Sequence, residues 1–161
     1  MKAYILLGSN MGNRLGYIQF AKYFLNKDLG SITKESKLYE TKAWGYESKK
    51  DYINQIVLLE TNLPPNELMQ QLLLIEQKGG RKRFKKMTDR TLDLDILYYN
   101  EEIIDTKDLS IPHPKIQERR FVLQILNEIA PNYLHPILLK KNSELLDICP
   151  DKLEGKIFTK K

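Results

Sequence analysis

The chain contains one short run in which acidic and aliphatic side chains alternate, Leu92-Asp93-Leu94-Asp95-Ile96. Successive side chains of an extended strand point to opposite faces of its sheet, so this pattern predicts a strand that buries Leu92, Leu94 and Ile96. Asp93 and Asp95 then share the other face. Two carboxylates side by side on a rigid strand repel each other unless a cation lies between them, and their oxygen atoms suit Mg²⁺. The run therefore predicts a strand of the sheet and a candidate magnesium site on it.

A strongly basic segment lies immediately before this run. Between Lys78 and Arg90 there are seven basic residues and one acid, Asp89. Guanidinium groups match the oxygen atoms of phosphates, which makes Arg81 and Arg83 the better phosphate ligands among these cations. The chain has no G-x-x-x-x-G-K-[ST] motif, so phosphate binding here would depend on metal ions and arginines. The alternative is that the two aspartates simply form the solvent face of an amphipathic strand.

The composition predicts one domain, residues 1–161, with a core of ordinary size. A formal net charge of +5 favours anionic partners. Cys149 is the single cysteine, which excludes an intrachain disulfide and suits a reducing compartment. It is better explained as a small buried residue than as a nucleophile. No apolar run approaches the roughly 20 residues that span a membrane, and residues 3–7 are too few for a signal peptide. We expect a cytoplasmic protein without a membrane partner.

The order of apolar patterns and turn residues predicts an α+β fold. Strands are expected at 3–7, 32–41, 52–61 and 91–99, with helices from about 14 to Gly30 and from Pro64 to Gly79. A short hairpin-like segment is expected around Ile103 and Ile104. This order is that of a ferredoxin-like antiparallel sheet covered by helices. A helix over 121–129 and an irregular tail would form a C-terminal helical extension.

A histidine between two prolines is a further candidate ligand. Pro112 and Pro114 stiffen the backbone on both sides of His113, and Arg119 follows within about two helical turns. A rigid loop with a nearby arginine suits an anion. The alternative is a structural histidine, which is the commoner role of a single histidine.

Aromatic and amide side chains make up the last candidate group. Tyr52 and Asn54 share one face of the predicted strand 52–61, where a ring and an amide could stack on and hydrogen-bond a planar heterocycle. Trp44 and Phe121 could complete such a site. The alternative for Tyr52 is ordinary packing at the start of a strand.

Five short motifs together resemble one enzyme family. They are Gly8-Ser9-Asn10, Tyr52-Ile53-Asn54, Gly80-Arg81-Lys82-Arg83, Arg90-Thr91-Leu92-Asp93-Leu94-Asp95-Ile96 and Pro112-His113-Pro114. In this order they are similar to the motifs of the 6-hydroxymethyl-7,8-dihydropterin pyrophosphokinase family of folate biosynthesis. The resemblance implies transfer of the pyrophosphoryl group of ATP to the hydroxymethyl group of the pterin, with release of AMP. It implies these two substrates, no nucleic-acid partner and a monomer.

The resemblance also implies residue roles. Asp93 and Asp95 would bind two Mg²⁺ ions and act in catalysis together with Arg81 and Arg83. The residues implied in ATP binding are Arg83, Ile96, Ser110, His113 and Arg119. The residues implied in pterin binding are Thr41, Trp44, Tyr52, Asn54 and Phe121. Residues 79–90 would form a lid over ATP. The chain departs from the family in this lid, where Lys86-Met87-Thr88-Asp89 replaces the usual Arg-Trp-Gly-Pro, and in Lys42, which replaces a proline.

Two other functions are compatible with parts of the pattern. A ferredoxin-like sheet with a basic loop can bind RNA, in which case the affinity for RNA would fall steeply with salt. The paired acids argue against this, because they would repel phosphates without a metal. A metal-dependent phosphodiesterase or nuclease would use the same two carboxylates and would need no pterin.

Overall fold

The computed structural model describes residues 1–81 and 88–159. The eight strands in this part of the chain are β1 (Lys2–Ser9), β2 (Gly30–Glu35), β3 (Tyr39–Thr41), β4 (Tyr52–Thr61), β5 (Asp93–Tyr99), β6 (Ile104–Asp105), β7 (Ser110–Ile111) and β8 (Lys156–Ile157). The four α-helices in the same part are α1 (Arg14–Phe24), α2 (Pro65–Lys78), α3 (Arg120–Ile129) and α4 (Asn142–Ile148). The fold is therefore a mixed one of helices and strands, as the sequence predicts.

Six strands form one antiparallel sheet in which β1 lies between β5 and β4. The strand order is β5-β1-β4-β3-β8, and β2 also pairs with β4. Gly8 near the end of β1 is the register partner of Asp93 on β5 and of Asn54 on β4. The ends of three neighbouring strands thus bring together the acidic run and the Tyr52-Ile53-Asn54 motif, which are far apart in the sequence. The small hairpin of β6 and β7 is a separate two-stranded sheet.

Helices cover both faces of the large sheet. On one face, buried side chains of α1 and α2 pack with those of the strands, including Ile18, Ala21, Leu68 and Leu72. On the other face, α3 and α4 form a second apolar layer with Ile56 and its neighbours. Apolar faces of the helices and both faces of the sheet are thereby removed from water, which is the main favourable contribution to folding.

The predicted sides of the acidic run are confirmed. Leu92, Leu94 and Ile96 are at most 3% exposed and belong to one core layer, whereas Asp93 and Asp95 are only half-buried. The predicted α2 is also confirmed, because it begins at Pro65 and ends at Lys78, directly before Gly79. Pro is favoured in the first turn of a helix, where its missing N–H has no acceptor to lose.

Two regions differ from the sequence prediction. The strand expected over 32–41 is two strands, β2 and β3, because Ser36 interrupts the pairing: its hydroxyl oxygen accepts a hydrogen bond from the backbone N–H of Ile56 at 3.0 Å. The C-terminal segment contains α4 and the short strand β8 in addition to irregular chain. With seven residues in α4 and two in β8, neither element is long enough to show a recognisable apolar periodicity in the sequence.

None of the helices in the described ranges 1–81 and 88–159 is long and apolar enough to span a membrane. Cys149 is a free cysteine and is 4% exposed, which confirms the prediction of a small buried residue.

Candidate active site

Asp93 and Asp95 project from β5 toward two arginines. Nη1 of Arg81 lies 2.7 Å from Oδ1 of Asp93, and Nη1 of Arg90 lies 3.3 Å from Oδ2 of the same carboxylate. Nη1 of Arg81 also lies 2.6 Å from Oε2 of Glu76, whose side chain is almost completely buried. Negative and positive side chains are thus packed together at the end of the central strands, which is the arrangement needed to hold metal ions and phosphates.

The pKa of Asp95 is raised, mainly because burial destabilises its charged form and also because the charge of Asp93 is close. The positive charge of Arg119 acts in the opposite direction. Two neighbouring carboxylates that resist full ionisation together form a site that a cation would stabilise.

A cavity of about 530 Å³ opens beside these carboxylates. Its volume is within the range of small-molecule sites, about 300–1,000 Å³. The charged and imidazole side chains that line it are Glu76, Arg81, Arg90, Asp93, Asp95, Asp108, His113, Lys115 and Arg119. Apolar side chains of Met69 and Leu73, from α2, form part of the wall. A polyphosphate with a planar base fits this combination of charge and apolar surface.

Arg119 lines this cavity with a guanidinium group that lacks some of its hydrogen bonds among the described residues. Its Nε and Nη2 atoms are buried, and neither has a hydrogen-bond partner among the described residues. Burial lowers the pKa of Arg119, since the charged form loses its hydration. A buried guanidinium without an acceptor is costly. An anionic ligand in the cavity would supply the missing acceptors.

His113 lines the same cavity in a fixed orientation. Its Nδ1 atom accepts a hydrogen bond from the backbone N–H of Lys115 at 3.1 Å, and its own backbone N–H donates to the carbonyl oxygen of Leu97 at 2.9 Å. Burial, and then the positive charge of Arg119, lower the pKa of His113 to about 4. The neutral ring therefore carries its proton on Nε2, where it is available to donate a hydrogen bond.

A second, smaller cavity of about 60 Å³ lies on the other side of Asp93. Aromatic residues and amide-bearing residues line it, together with the arginines: Leu6, Thr41, Lys42, Trp44, Tyr46, Tyr52, Asn54, Arg90, Asp93, Arg119 and Phe121. The two cavities share Trp44, Arg90, Asp93 and Arg119. Asp93 therefore stands at the border between a large charged cavity and a narrow aromatic one.

Hydrogen bonds hold the polar groups of the small cavity in place. The side-chain amide of Asn54 donates from Nδ2 to Oγ1 of Thr41 at 2.6 Å, and the hydroxyls of Tyr46 and Tyr52 lie 2.5 Å apart. Burial, followed by this hydrogen bond to Tyr46, raises the pKa of Tyr52 far above that of a free tyrosine. The Tyr52 hydroxyl therefore remains protonated and able to donate a hydrogen bond.

Gly8 makes room for the Asn54 side chain. A Cβ atom at position 8 would lie 2.6 Å from Oδ1 of Asn54, closer than real Cβ atoms approach an oxygen. The glycine of the Gly8-Ser9-Asn10 motif is thus required by the close approach of β1 to an amide on β4.

Asp89 and Asn10 connect three loops around the small cavity. Oδ1 of Asp89 accepts hydrogen bonds from Oγ of Ser48 at 2.6 Å and from Nδ2 of Asn10 at 2.9 Å. Oδ1 of Asn10 in turn accepts from the backbone N–H of Arg90 at 2.8 Å. The hydrogen bond from Ser48 is the main reason that the pKa of Asp89 is lowered. These contacts fix Arg90 and the loop that carries Tyr46 relative to β1.

Comparison with known proteins identifies the family of this chain. The sequence model of the 7,8-dihydro-6-hydroxymethylpterin-pyrophosphokinase (HPPK) family matches residues 4–131. The chain belongs to the HPPK family. Its relatives include the 2-amino-4-hydroxy-6-hydroxymethyldihydropteridine pyrophosphokinases of Aquifex aeolicus, 42% identical over 141 residues (88% of each chain), and of Bacillus subtilis, 44% identical over 129 residues (80% of this chain and 77% of the relative).

The solved structure of wild-type Plasmodium falciparum HPPK-DHPS with pteroate has the same fold. It superimposes with a TM-score of 0.75 at 18% identity, over 91% of this chain and 42% of that one. This HPPK-family chain thus corresponds to less than half of the longer Plasmodium protein.

The structure brings most of the predicted site residues of this HPPK-family member together. Thr41, Trp44, Tyr52, Asn54 and Phe121 line the small cavity, and Arg81, Asp95 and His113 line the large one. Ile96 and Ser110 are not among the residues lining either cavity: Ile96 is 2% exposed in the core, and Ser110 lies on β7. Arg83, Lys86 and Met87 lie outside the described residues, so the expectations for the lid are untested.

Sequence reasoning did not assign Tyr46, Glu76 or Arg90 to the site. Arg90 lies two residues before the acidic run, and this closeness in the sequence is a signal that could have assigned it to the site. Tyr46 and Glu76 carry no comparable signal, because their contacts with Tyr52 and Arg81 depend on how a loop and a helix pack against the sheet.

Proposed function

We propose that this protein transfers the pyrophosphoryl group of ATP to the hydroxymethyl group of 6-hydroxymethyl-7,8-dihydropterin, with release of AMP, as its family membership implies. The observation that carries the proposal is the position of Asp93 between the two cavities. A reaction that transfers a pyrophosphoryl group from a nucleotide to a planar heterocycle needs two adjoining sites with charge-stabilising groups at their border.

ATP is assigned to the large cavity. Among the described residues Nε and Nη2 of Arg119 have no acceptor, and the neutral His113 carries its proton on Nε2, so both side chains can donate to phosphate oxygens. Arg81 is bound to Glu76 and Asp93. It would exchange one of these carboxylates for a phosphate oxygen when ATP binds. Arg83, Ile96 and Ser110 remain proposed ATP contacts by resemblance, and Ile96 could contribute only its backbone because its side chain is in the core.

The pterin is assigned to the small cavity. Tyr52 and Phe121 would stack on its two faces, while Thr41 and Asn54 would hydrogen-bond its edge, with Trp44 as a further wall. The cavity of about 60 Å³ is smaller than a pterin ring system needs. The side chains that line it would move apart on binding.

Magnesium is the metal that suits the acidic pair. The described residues contain no group of three or more histidine, cysteine or acidic side chains that could hold a metal ion. Mg²⁺ is commonly held by one or two carboxylates together with substrate phosphates and water. Asp93 and Asp95 fit this pattern and would hold two ions. Bound Mg²⁺ would neutralise charge on the phosphate oxygens.

The chemistry proposed is an in-line attack of the pterin hydroxyl oxygen on the β-phosphorus of ATP. The bond from the β-phosphorus to the bridging oxygen of AMP breaks, and the hydroxyl proton is lost to solvent. Phosphoryl-type transfer depends mainly on positioning and charge stabilisation, so no dedicated general base is required. Arg81, Arg83 and Arg119 would stabilise the charge that develops on the transferred group.

We also propose the finer architectural assignments: a ferredoxin-like sheet, a single domain over residues 1–161, a C-terminal helical extension formed by α3 and the chain that follows it, and a cytoplasmic monomer. The arrangement of β5, β1 and β4 with α1 and α2 on one face supports the first of these.

The reaction is tested by separating nucleotides after incubation with MgATP, with and without the pterin. We expect AMP that depends on the pterin. ADP as the product would mean transfer of a single phosphoryl group and would contradict attack at the β-phosphorus. Nucleotide hydrolysis without pterin would favour a phosphodiesterase. No nucleotide change, together with EDTA-insensitive RNA binding, would favour an RNA-binding module.

A further inference from the structure

One carboxylate in the segment that follows Pro150, that of Asp151, binds next to two aromatic residues of the small cavity, Trp44 and Phe121. Oδ2 of Asp151 accepts a hydrogen bond from the indole Nε1–H of Trp44 at 3.1 Å. The same oxygen accepts one from the backbone N–H of Arg120, the first residue of α3, at 3.0 Å. The next residue of α3 is Phe121, which is 5% exposed and lines the small cavity, as Tyr52 does. One side chain thus joins the Trp44 loop to the start of the Phe121 helix.

The C-terminal segment is itself held firmly in place. Gln124 and Gly155 exchange two hydrogen bonds, from Nε2 of Gln124 to the carbonyl oxygen of Gly155 at 3.0 Å and from the backbone N–H of Gly155 to Oε1 of Gln124 at 2.9 Å. A Cβ atom at Gly155 would lie 2.8 Å from Cγ2 of Thr41, so this segment also packs against a residue of the small cavity. Asp151 is therefore presented by an anchored segment.

Electrostatics favours a carboxylate in this position. The first N–H groups of a helix have no acceptor within the helix, and a negative charge near them is stabilised by the helix dipole. Hydrogen bonds from neutral N–H groups to an ionised carboxylate are stronger than bonds between neutral groups. Asp151 therefore orders the indole of Trp44 and the first turn of α3 more tightly than a neutral acceptor would.

We infer that Asp151 is a positioning residue for the small cavity: its carboxylate holds Trp44 and the N-terminal turn of α3 at a fixed separation and so shapes the site for the planar substrate. Asp151 lies outside residues 4–131, the part of the chain that matches the family. The inference rests on the proposed assignment of the pterin to this cavity. The contact between Asp151 and Trp44 can nevertheless be tested without any substrate.

Trp44 is the single tryptophan of the chain, so intrinsic tryptophan fluorescence reports on the surroundings of this residue. In Asp151→Ala we expect a shifted emission maximum and stronger quenching by acrylamide in the unliganded protein. In steady-state assays we expect the KM for the pterin to rise about 10-fold, the order of effect expected from misplacing a binding group. The KM for ATP should rise less, because Phe121 lines only the small cavity, whereas Trp44 lines both.

Glu154→Ala is the matched control. Glu154 lies in the same segment and binds Nε of Arg120 at 2.9 Å, so this variant removes a carboxylate three residues away. It should keep the fluorescence and both KM values of the unaltered protein. Asp151→Asn keeps an oxygen acceptor without the charge. Its KM for the pterin should fall between those of the unaltered protein and Asp151→Ala.

A double-mutant cycle with Trp44→Phe tests whether Asp151→Ala changes the KM for the pterin through Trp44. Phenylalanine keeps an aromatic wall but has no N–H, so Asp151→Ala should raise the KM for the pterin less in this background than in the unaltered one. The inference is overturned if Asp151→Ala and Asp151→Asn leave the fluorescence and the pterin KM unchanged, or if they raise both KM values equally. If the unaltered protein makes no pterin-dependent AMP, the proposed function fails, and the fluorescence result still decides whether Asp151 orders Trp44.

Discussion

At the scale of single residues, the site depends on charges that are only partly compensated. Asp95 is half-buried next to Asp93, and its raised pKa reflects both its burial and this neighbour. Two buried nitrogen atoms of Arg119 have no hydrogen-bond partner among the described residues. Both groups reduce the stability of the free protein, Asp95 because a second carboxylate lies beside it and Arg119 because buried N–H groups have lost hydration. A ligand that brings metal ions and phosphates would restore these interactions.

Replacing Asp95 tests the acidic pair. Asp95→Asn should lower kcat for AMP formation at least about 100-fold, the order of effect of removing one charge-stabilising group from a reaction site. The matched control is Asp105→Asn, the same change at an exposed residue of β6 that lines neither cavity. AMP formation by Asp95→Asn above a tenth of the unaltered rate would contradict the assignment of Asp95 as a metal ligand.

Replacing Arg119 should separate stability from binding. In Arg119→Met the two buried nitrogen atoms that have no hydrogen-bond partner among the described residues are gone, while most of the side-chain volume remains. We therefore expect the Tm of the free protein to rise by about 2–4 °C, the shift that accompanies roughly 1 kcal/mol. Nucleotide affinity should fall at least about 10-fold because an anion loses its buried partner. Thermal unfolding and calorimetric titration with MgATP measure the two effects. Unchanged nucleotide affinity would remove Arg119 from the ATP site.

At the scale of secondary-structure elements, the site is built where β5, β1 and β4 end side by side. Register pairing sets Gly8 between Asp93 and Asn54, so β1 contributes its backbone while its neighbours contribute the functional side chains. Loops on both sides complete the small cavity, and Asp89 and Asn10 tie these loops together. Rigid strands therefore determine where the acids and amides lie, and hydrogen-bonded loops determine how closed the cavity is.

The close approach of β1 to β4 gives a test at this scale. Gly8→Ala places a Cβ atom against Oδ1 of Asn54, which we expect to cost about 1–3 kcal/mol of stability, the usual cost of overpacking. Pterin affinity should also fall, because the amide is displaced. Denaturant unfolding and pterin titration provide the measurements.

The double variant Gly8→Ala/Asn54→Ala separates the two effects of Gly8→Ala. Asn54→Ala alone loses the hydrogen bond to Thr41 and sets the reference stability. Because the clash is absent in this background, Gly8→Ala/Asn54→Ala should be about as stable as Asn54→Ala, while pterin affinity stays low. If Gly8→Ala costs as much stability in the Asn54→Ala background as in the unaltered protein, the cost does not come from contact with Asn54.

At the scale of the whole molecule, two apolar layers enclose the sheet and leave the charged groups at one end of it. The layer formed with α1 and α2 and the layer formed with α3 and α4 pack on opposite faces. The C-terminal strand β8 extends the sheet beyond β3, and the preceding segment carries Asp151 to the small cavity. Residues from both halves of the chain therefore form one site.

Metal-dependent stabilisation should be visible in the unfolding of the whole molecule. A nonhydrolysable ATP analogue at about 100 times its Kd should stabilise the protein by about 2.7 kcal/mol, which raises Tm by about 5–11 °C for a chain of this size. EDTA should remove most of this shift, and Asp95→Asn should show little of it even with Mg²⁺. An equal shift with EDTA would show that nucleotide binding does not use the acidic pair.

The sequence alone determined the parts of this protein that follow from local pattern. Alternation along β5 assigned Asp93 and Asp95 to one face and Leu94 to the core, and period-two spacing likewise set Tyr52 beside Asn54. The order of strands and helices followed from apolar periodicity and from the prolines and glycines at the ends of α2. These features are local because the geometry of a strand or helix repeats every few residues.

Only the tertiary structure decided which groups meet. The pairing of Arg81 with Glu76, the hydroxyl contact of Tyr46 with Tyr52, and the bond from Trp44 to Asp151 join residues whose contacts arise from packing between separate elements or loops. That Nε and Nη2 of Arg119 have no hydrogen-bond partner among the described residues is likewise a property of their surroundings. No periodicity encodes such contacts, since they depend on where the apolar layers place each loop and helix end once the sheet has formed.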